Sequence, residues 1–273
     1  MLDEFVERTI GNMSSNGLQD RVAVITGGAR GIGRETARLL AEHGARVTIG
    51  DLTLDPANDE TFEQLGIRQQ ACDVRDLDSL RDLIDGAANA GGRLDILVNN
   101  AGIVMVGQVH EIEEADWDRC LDTNLKAAFF GVKYAVPHMQ KVGGGAIVNT
   151  ASNAGILPRA HDPVYSTSKL ALTGMTRSLA LCHGPDKIRI NAVCPGPVCD
   201  TAIMNADLAT QTDREAAVKQ FIHASPIARA HGRMITPEEV AQSILYLVSD
   251  VATMVTGTMI AIDGGKSLGV PPE

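Results

Sequence analysis

No CxxC pair, no HExxH and no other close-set ligand cluster occurs in the 273 residues. The five cysteines, Cys72, Cys120, Cys182, Cys194 and Cys199, are odd in number and scattered. That argues against a disulfide framework or a zinc site and for reduced thiols. The seven histidines form no ligand pattern either, so no metal centre is expected. Basic blocks are missing as well. Lys+Arg number 24 against 34 Asp+Glu, a net charge of −10, which makes nucleic acid and anionic membranes poor partners. No apolar run reaches the ~18 residues that a bilayer-spanning helix needs. The acidic start, MLDEFVERTIGNMSSNG, lacks the order of a signal peptide, so a cytoplasmic protein is expected. Linkers, internal repeats and breaks in composition are also lacking. The expectation is a single domain over 18–273 behind an N-terminal extension, 1–17.

What is present is an alternation of strand-like and helix-like segments. RVAVITG (21–27) is short, apolar and β-branched, as a strand buried on both faces should be. ARVTIGD (45–51), the weaker IRQQACDV (67–74), LDILVNNAG (94–102), GAIVNTAS (145–152), IRINAVCPG (188–196) and GTMIAIDGG (257–265) follow. Helical patterns fill the spaces, at about 31–43, 115–140, 163–182 and 237–249. Thr236-Pro237-Glu238-Glu239 is a strong helix start, with a capping hydroxyl, a proline at the first position and acids in the first turn. Seven strands joined by helical crossovers predict an α/β fold: a doubly wound, seven-stranded parallel (Rossmann) sheet with helices on both faces. Ligands of such sheets bind at the carboxyl ends of the strands. The least regular segment, 197–224, falls at that end and is expected to form a lid or binding loop.

The turn after the first strand reads Thr26-Gly27-Gly28-Ala29-Arg30-Gly31-Ile32-Gly33. Glycines there let the backbone approach a ligand, and the helix that follows offers unpaired N–H groups to an anion. Such turns also occur without ligands; this one lies between a buried strand and a helix, the context a dinucleotide site requires. Asp51, 18 residues after Gly33, ends the second strand beside Leu52. An acid there accepts from both ribose hydroxyls of an adenosine and repels a 2′-phosphate, which favours NAD over NADP. Arg30 argues the other way, because a guanidinium in the loop can meet that phosphate. Asp73-Val74 and Asn99-Asn100-Ala101-Gly102 end the next two strands. On spacing alone they read equally well as turns.

These segments, together with Asn124, Ser152, Tyr165-Ser-Thr-Ser-Lys169, and Pro195-Gly196 followed by Thr201, resemble the short-chain dehydrogenase/reductase family over roughly 20–265. The resemblance implies a nicotinamide-dependent oxidoreductase acting on a small alcohol or ketone, with Asn124, Ser152, Tyr165 and Lys169 as its catalytic set. Tyr165 and Lys169, at i and i+4, share one helix face, and Asn124 falls mid-helix, where an amide needs a reason. The implied cofactor wall is Thr26, Gly27, Arg30, Gly31, Ile32, Gly33, Asp51, Leu52, Asp73, Val74, Asn100, Ala101, Gly102, Tyr165, Lys169, Pro195, Gly196, Val198 and Thr201. Substrate contacts are expected from Ser152, Asn153, Ile156, Tyr165 and Met204, in a pocket that suits a medium-sized ketone or secondary alcohol, open-chain or cyclic. Arg159 or His161 is a candidate for meeting an acidic group, although an exposed loop charge is the plainer reading. Acyl-carrier-protein reductases of the family usually follow this NNAG with Ile-Thr-Arg-Asp; Ile103-Val104-Met105-Val106 stands here instead. A homo-oligomer, tetramer or dimer, is the family's usual assembly.

The chemistry sets a magnitude. For Tyr165 to act as a base near neutrality, its pKa must fall by about three units, or ~4 kcal/mol. A positive charge ~4 Å away at an effective dielectric near 20 supplies about that much. Lys169 is an expected source, and the oxidised nicotinamide, itself cationic, adds to it.

Overall fold

A computed structural model describes residues 17–55, 59–157, 159–209 and 211–269. Residues 1–16 of the expected extension lie outside the described residues. The predicted sheet is present: β1 (Val22–Thr26), β2 (Arg46–Asp51), β3 (Arg68–Ala71), β4 (Ile96–Asn99), β5 (Gly145–Thr150), β6 (Ile188–Pro195) and β7 (Met259–Ile262). They run parallel in the order β3-β2-β1-β4-β5-β6-β7.

The alternation of side chains along each strand divides the core in two. From β1, Ala23 and Ile25 face one layer; from β4, Ile96 and Val98 join them, under α1 (Gly31–Glu42) and α10 (Pro237–Val248). Val22, Val24 and Leu97 face the other layer, against α3 (Leu77–Gly91), α5 (Ala127–Lys141) and the long α6 (Pro163–His183). Both faces are therefore apolar, which is why these strands read as continuous β-branched runs. Short helices complete the chain: α2 (Asp59–Gln64), α4 (Glu114–Leu121), α7 (Ala202–Ala209), α8 (Arg214–His223) and α9 (Pro226–His231). None of the helices among the described residues is long and apolar enough to cross a membrane.

The start of α10 is built as its sequence predicts. Thr236 Oγ1 accepts from Glu239 N at 3.3 Å, and Glu239 returns a carboxylate to Thr236 N at 2.9 Å. Arg233 holds the same carboxylate at 2.7 Å and draws the Glu239 acid down to about 2. Thr236→Ala removes one arm of this box and is expected to lower stability by about 1 kcal/mol in urea titrations.

Two segments differ from their sequence reading. The helix expected over 115–140 is two helices, α4 and α5, joined by a π-helical turn at Asp122–Lys126. Asn124 sits in that turn. A π-turn inserts one residue and re-aims side chains, and such turns gather at functional sites. Residues 197–224, expected to be irregular, carry α7 and α8, which close over a small cluster of Met204, Leu208 and Ala217 with Phe221 beside it.

Candidate active site

A cavity of about 690 Å³ opens at the carboxyl ends of the strands, where the strand order reverses between β1 and β4. Its volume falls in the range of small-molecule and cofactor sites, about 300–1,000 Å³. Its lining includes the glycine turn, the ends of β2 to β6, Tyr165 and Lys169 of α6, and the α7 segment.

The glycine turn has the backbone its sequence predicts. Gly27 (φ +65°) and Gly31 (φ +54°) occupy the left-handed region. A Cβ on Gly27 would lie 2.8 Å from Ala101 Cα, and one on Gly33 would lie 2.1 Å from the Gly27 carbonyl oxygen. α1 starts at Gly31 with no side-chain cap from Arg30, which leaves its first N–H groups to a ligand. Gly33 and Thr26 stand behind the cavity wall. Thr26 Oγ1 accepts from Asn100 N and Ala101 N, both at 3.1 Å, and Asn100 Nδ2 donates to Gly27 O at 2.9 Å. The NNAG amide thus ties β1 to β4 and braces the glycine turn.

Asp51 is buried at the end of β2 and lines the cavity. Its Oδ2 accepts from Ala29 N at 3.0 Å, which locks the carboxylate beside the turn. A carboxylate has about four acceptor positions, so capacity remains for a ligand. Asp73 and Val74 follow β3 and line the same side. Arg75 grips the Asp73 carboxylate at 2.6 Å and holds it below the usual carboxylate range. Leu52, Arg30, Ile32, Gly102, Pro195, Gly196, Val198 and Thr201 also line the cavity.

Ser152, Tyr165 and Lys169 come together on one wall, all three buried. Ser152 follows β5; Tyr165 and Lys169 lie one turn apart on α6. The Ser152 hydroxyl works against burial on the Tyr165 phenol, drawing its pKa down; Ser152 Oγ itself accepts from Ala154 N at 3.1 Å. Lys169 Nζ donates to Thr150 O at 2.9 Å. Asn124 stands behind Gly102: a Cβ on that glycine would lie 3.3 Å from both Asn124 Oδ1 and Lys169 Nζ. The Asn124 amide is fully engaged, accepting from Ile103 N at 2.8 Å and donating to Ile103 O at 2.9 Å and Ser168 Oγ at 3.0 Å.

Two expectations need correction. Lys169 does not by itself draw the Tyr165 pKa down. Burial pushes the phenol upward, against the Ser152 hydroxyl and the charge of Arg159. The Lys169 ammonium is 5.8 Å from the Tyr165 ring centroid, is turned to Thr150 O, and is itself lowered by burial to about 8. Ile156, expected to touch substrate, is half exposed and outside the cavity lining; Asn153 and Met204 line it. Arg159, Phe221 and Lys266 line it as well. Sequence reasoning passed over the last two, and the one signal for Lys266 is its place just past the carboxyl end of β7.

Residues 27–267 match the family described as enoyl-(acyl carrier protein) reductase. The chain is 41% identical over 251 residues to cis-4-hydroxycyclohexanecarboxylate dehydrogenase of Sinomonas cyclohexanicum, covering 90% of this chain and 96% of that protein. It belongs to the short-chain dehydrogenase/reductase family. Cyclohexanol dehydrogenase of Acinetobacter sp. (strain SE19) is 35% identical, with 92% of this chain and 96% of that one covered. The crystal structure of levodione reductase superposes with a TM-score of 0.85 at 30% identity, over 92% of this chain and 99% of that one. As a short-chain dehydrogenase/reductase, the protein is an oxidoreductase of alcohols or ketones that uses NAD or NADP. The glycine cradle, the open helix start and Asp51 fit such a dinucleotide.

Proposed function

We propose that the protein is an NAD-dependent dehydrogenase of cyclic secondary alcohols, or the reductase of the matching ketones, with Tyr165 as its acid/base. The observation that carries this reading is that Ser152, Tyr165 and Lys169 line the same cavity that opens to Gly31 and Asp51. The cyclic substrate is supported by the names of the two cyclohexanol-type dehydrogenases above.

When bound, the nicotinamide supplies the hydride acceptor or donor and, oxidised, a positive charge. The chain does the rest. Thr26, Gly27, Gly31 and Gly33 shape the turn that receives the pyrophosphate, with the first N–H groups of α1 beside it. Asp51 accepts from the adenosine ribose. Ser152 Oγ holds the substrate oxygen and stabilises the charge that builds there. Tyr165 Oη takes the hydroxyl proton in oxidation and returns it in reduction. Lys169 positions the nicotinamide ribose and adds positive charge near the phenol. Since burial raises the phenol, the shift Tyr165 needs is a joint product of Lys169, Arg159 and the oxidised ring, with the lysine supplying only a share. Asn124 fixes the 103 backbone and the start of a proton route from Lys169.

Screening cyclic ketones and secondary alcohols by nicotinamide absorbance tests the reading; no turnover across such a panel with either cofactor would end it. The alternative is an NADPH-dependent ketoreductase, favoured by Arg30, which is exposed on the cavity rim. Titration with NADH and NADPH separates the two. Asp51→Ser is expected to raise the NADPH/NADH ratio of kcat/KM by about 30-fold or more, because it removes a like charge that costs several kcal/mol against a 2′-phosphate. An unchanged ratio would count against the ribose role. A homo-oligomer also belongs to this reading, supported by an exposed apolar groove along α5 and α6 that includes Leu125, Phe129, Ala171 and Met175.

A further inference from the structure

Among the cations that line the cavity, Arg159 is paired with carboxylates, whereas Lys266 forms no ion pair among the described residues. The Arg159 guanidinium stands 5.9 Å over the Tyr165 ring, with Asp162 at 3.0 Å and Asp207 at 3.6 Å. Lys266 is half-buried and lies with its Nζ 5.9 Å from the Phe221 ring centroid. The neighbouring acid, Asp263, is occupied: it accepts from Gly265 N at 2.9 Å and Ser267 N at 2.8 Å, which fixes the turn that carries Lys266. A half-buried ammonium beside an aromatic ring, with no carboxylate in ion-pair contact among the described residues, is suited to receive an anion. Burial, with Arg159 adding to it, disfavours the charge on Lys266, and Asp263, Asp207 and Asp162, none of them in ion-pair contact with it, offset only part of that.

From this geometry, and resting on the proposed dehydrogenase reading, we infer that the substrate carries a carboxylate, held by Lys266 on the Phe221 side of the cavity while its alcohol carbon meets Tyr165 and Ser152. Arg159, between the two, orients the ring of the substrate and adds to the field. The apolar lining from Met204 and Phe221 suits the ring itself. The substrate class is thus a cyclic hydroxy or keto acid.

The test uses a probe that cannot react. The whole protein, saturated with NADH, is titrated calorimetrically with cyclohexanecarboxylate and with the neutral, near-isosteric cyclohexanecarboxamide. A charge-assisted bond predicts that the carboxylate binds about 10- to 100-fold tighter. Lys266→Met should reduce that preference to about threefold or less, and Lys266→Arg should keep most of it. Equal affinities in the wild type, an undiminished preference in Lys266→Met, or a carboxylate that displaces NADH instead of joining it would each overturn the inference. If Lys266→Met does not fold, the wild-type comparison decides. Failure here is distinct from failure of the dehydrogenase reading, because the probe needs no turnover. An enzyme that oxidises neutral cyclic alcohols yet shows no carboxylate preference keeps the first reading and loses this one.

Discussion

Tyr165→Phe should abolish all but a trace of turnover, by roughly 10³-fold or more, and leave the fold and NADH binding in place. General acid–base catalysis contributes about 10²–10⁴-fold, and among the cavity-lining groups near Ser152 the phenol alone is suited to carry the proton. Arg159 does not release one, and the Lys169 ammonium is committed to Thr150 O. The substitution removes one oxygen from a buried ring without creating a cavity. It leaves no orphan either: Ser152 Oγ still accepts from Ala154 N at 3.1 Å and reaches Asn153 Oδ1 at 3.4 Å. Stability should therefore fall by no more than about 1 kcal/mol. The measurements are initial rates on whichever cyclic alcohol the wild type oxidises, NADH titration by fluorescence, and thermal melting. Substantial turnover in a variant that binds NADH normally would remove Tyr165 from the mechanism.

Much of this site could be read from the chain before its fold. Parallel strands buried on both faces leave β-branched runs, so β1, β4 and β6 announced themselves, and the cavity opens where those runs end. Gly27, Gly31 and Asp51 were legible because the spaces they fill admit few alternatives: a Cβ on Gly27 would meet Ala101. Asn124 was legible as an oddity in a helix, but the π-turn that holds it was not. That turn depends on the Asn124 amide pairing with both the N–H and the carbonyl of Ile103, a contact 21 residues distant in sequence.

The misses share one physical origin. The electrostatics of Tyr165 were estimated from a spacing of four residues, which places Lys169 on the same face but says nothing of where its ammonium points or how dry its surroundings are. Burial then proved the largest influence on both groups. Ile156 was assigned to the pocket from loop position, yet the chain turns it outward after Ser152. Residues 197–224 hid two helices because Ala202–Ala209 is short and shows no clear apolar stripe, although Thr201 Oγ1 caps its start by accepting from Met204 N at 3.2 Å. Lys266 and Phe221 are 45 positions apart and meet only because α8 packs beside the end of β7.

The buried lysine yields the second large effect, and it runs in opposite directions for activity and stability. Burial lowers the Lys169 ammonium from 10.5 to about 8. The folded protein therefore releases this proton at lower pH than the unfolded chain does. Between about pH 8 and 10.5 the unfolded state holds more protons, so stability rises with pH across that window. Below it, the buried charge costs the fold about 3 kcal/mol, the free energy that corresponds to the drop from 10.5 to about 8. Lys169→Met fills the same space without a charge. It forfeits the hydrogen bond to Thr150 O, a loss of about 1 kcal/mol. The variant is thus expected to be about 2 kcal/mol more stable than the wild type at pH 7, and to lose that advantage as pH rises from 8 to 10.5. Groups that titrate in both proteins cancel in the comparison, so urea midpoints at pH 7 and pH 10 suffice. Turnover should fall by about 10²-fold or more, because Tyr165 loses its lysine neighbour and the nicotinamide ribose loses its holder. Parallel stability curves for the two proteins would mean that Lys169 is not a strained cation at all. A stabilised and inactive Lys169→Met would show that the fold tolerates a costly buried charge at this one position because proton transfer at Tyr165 depends on it.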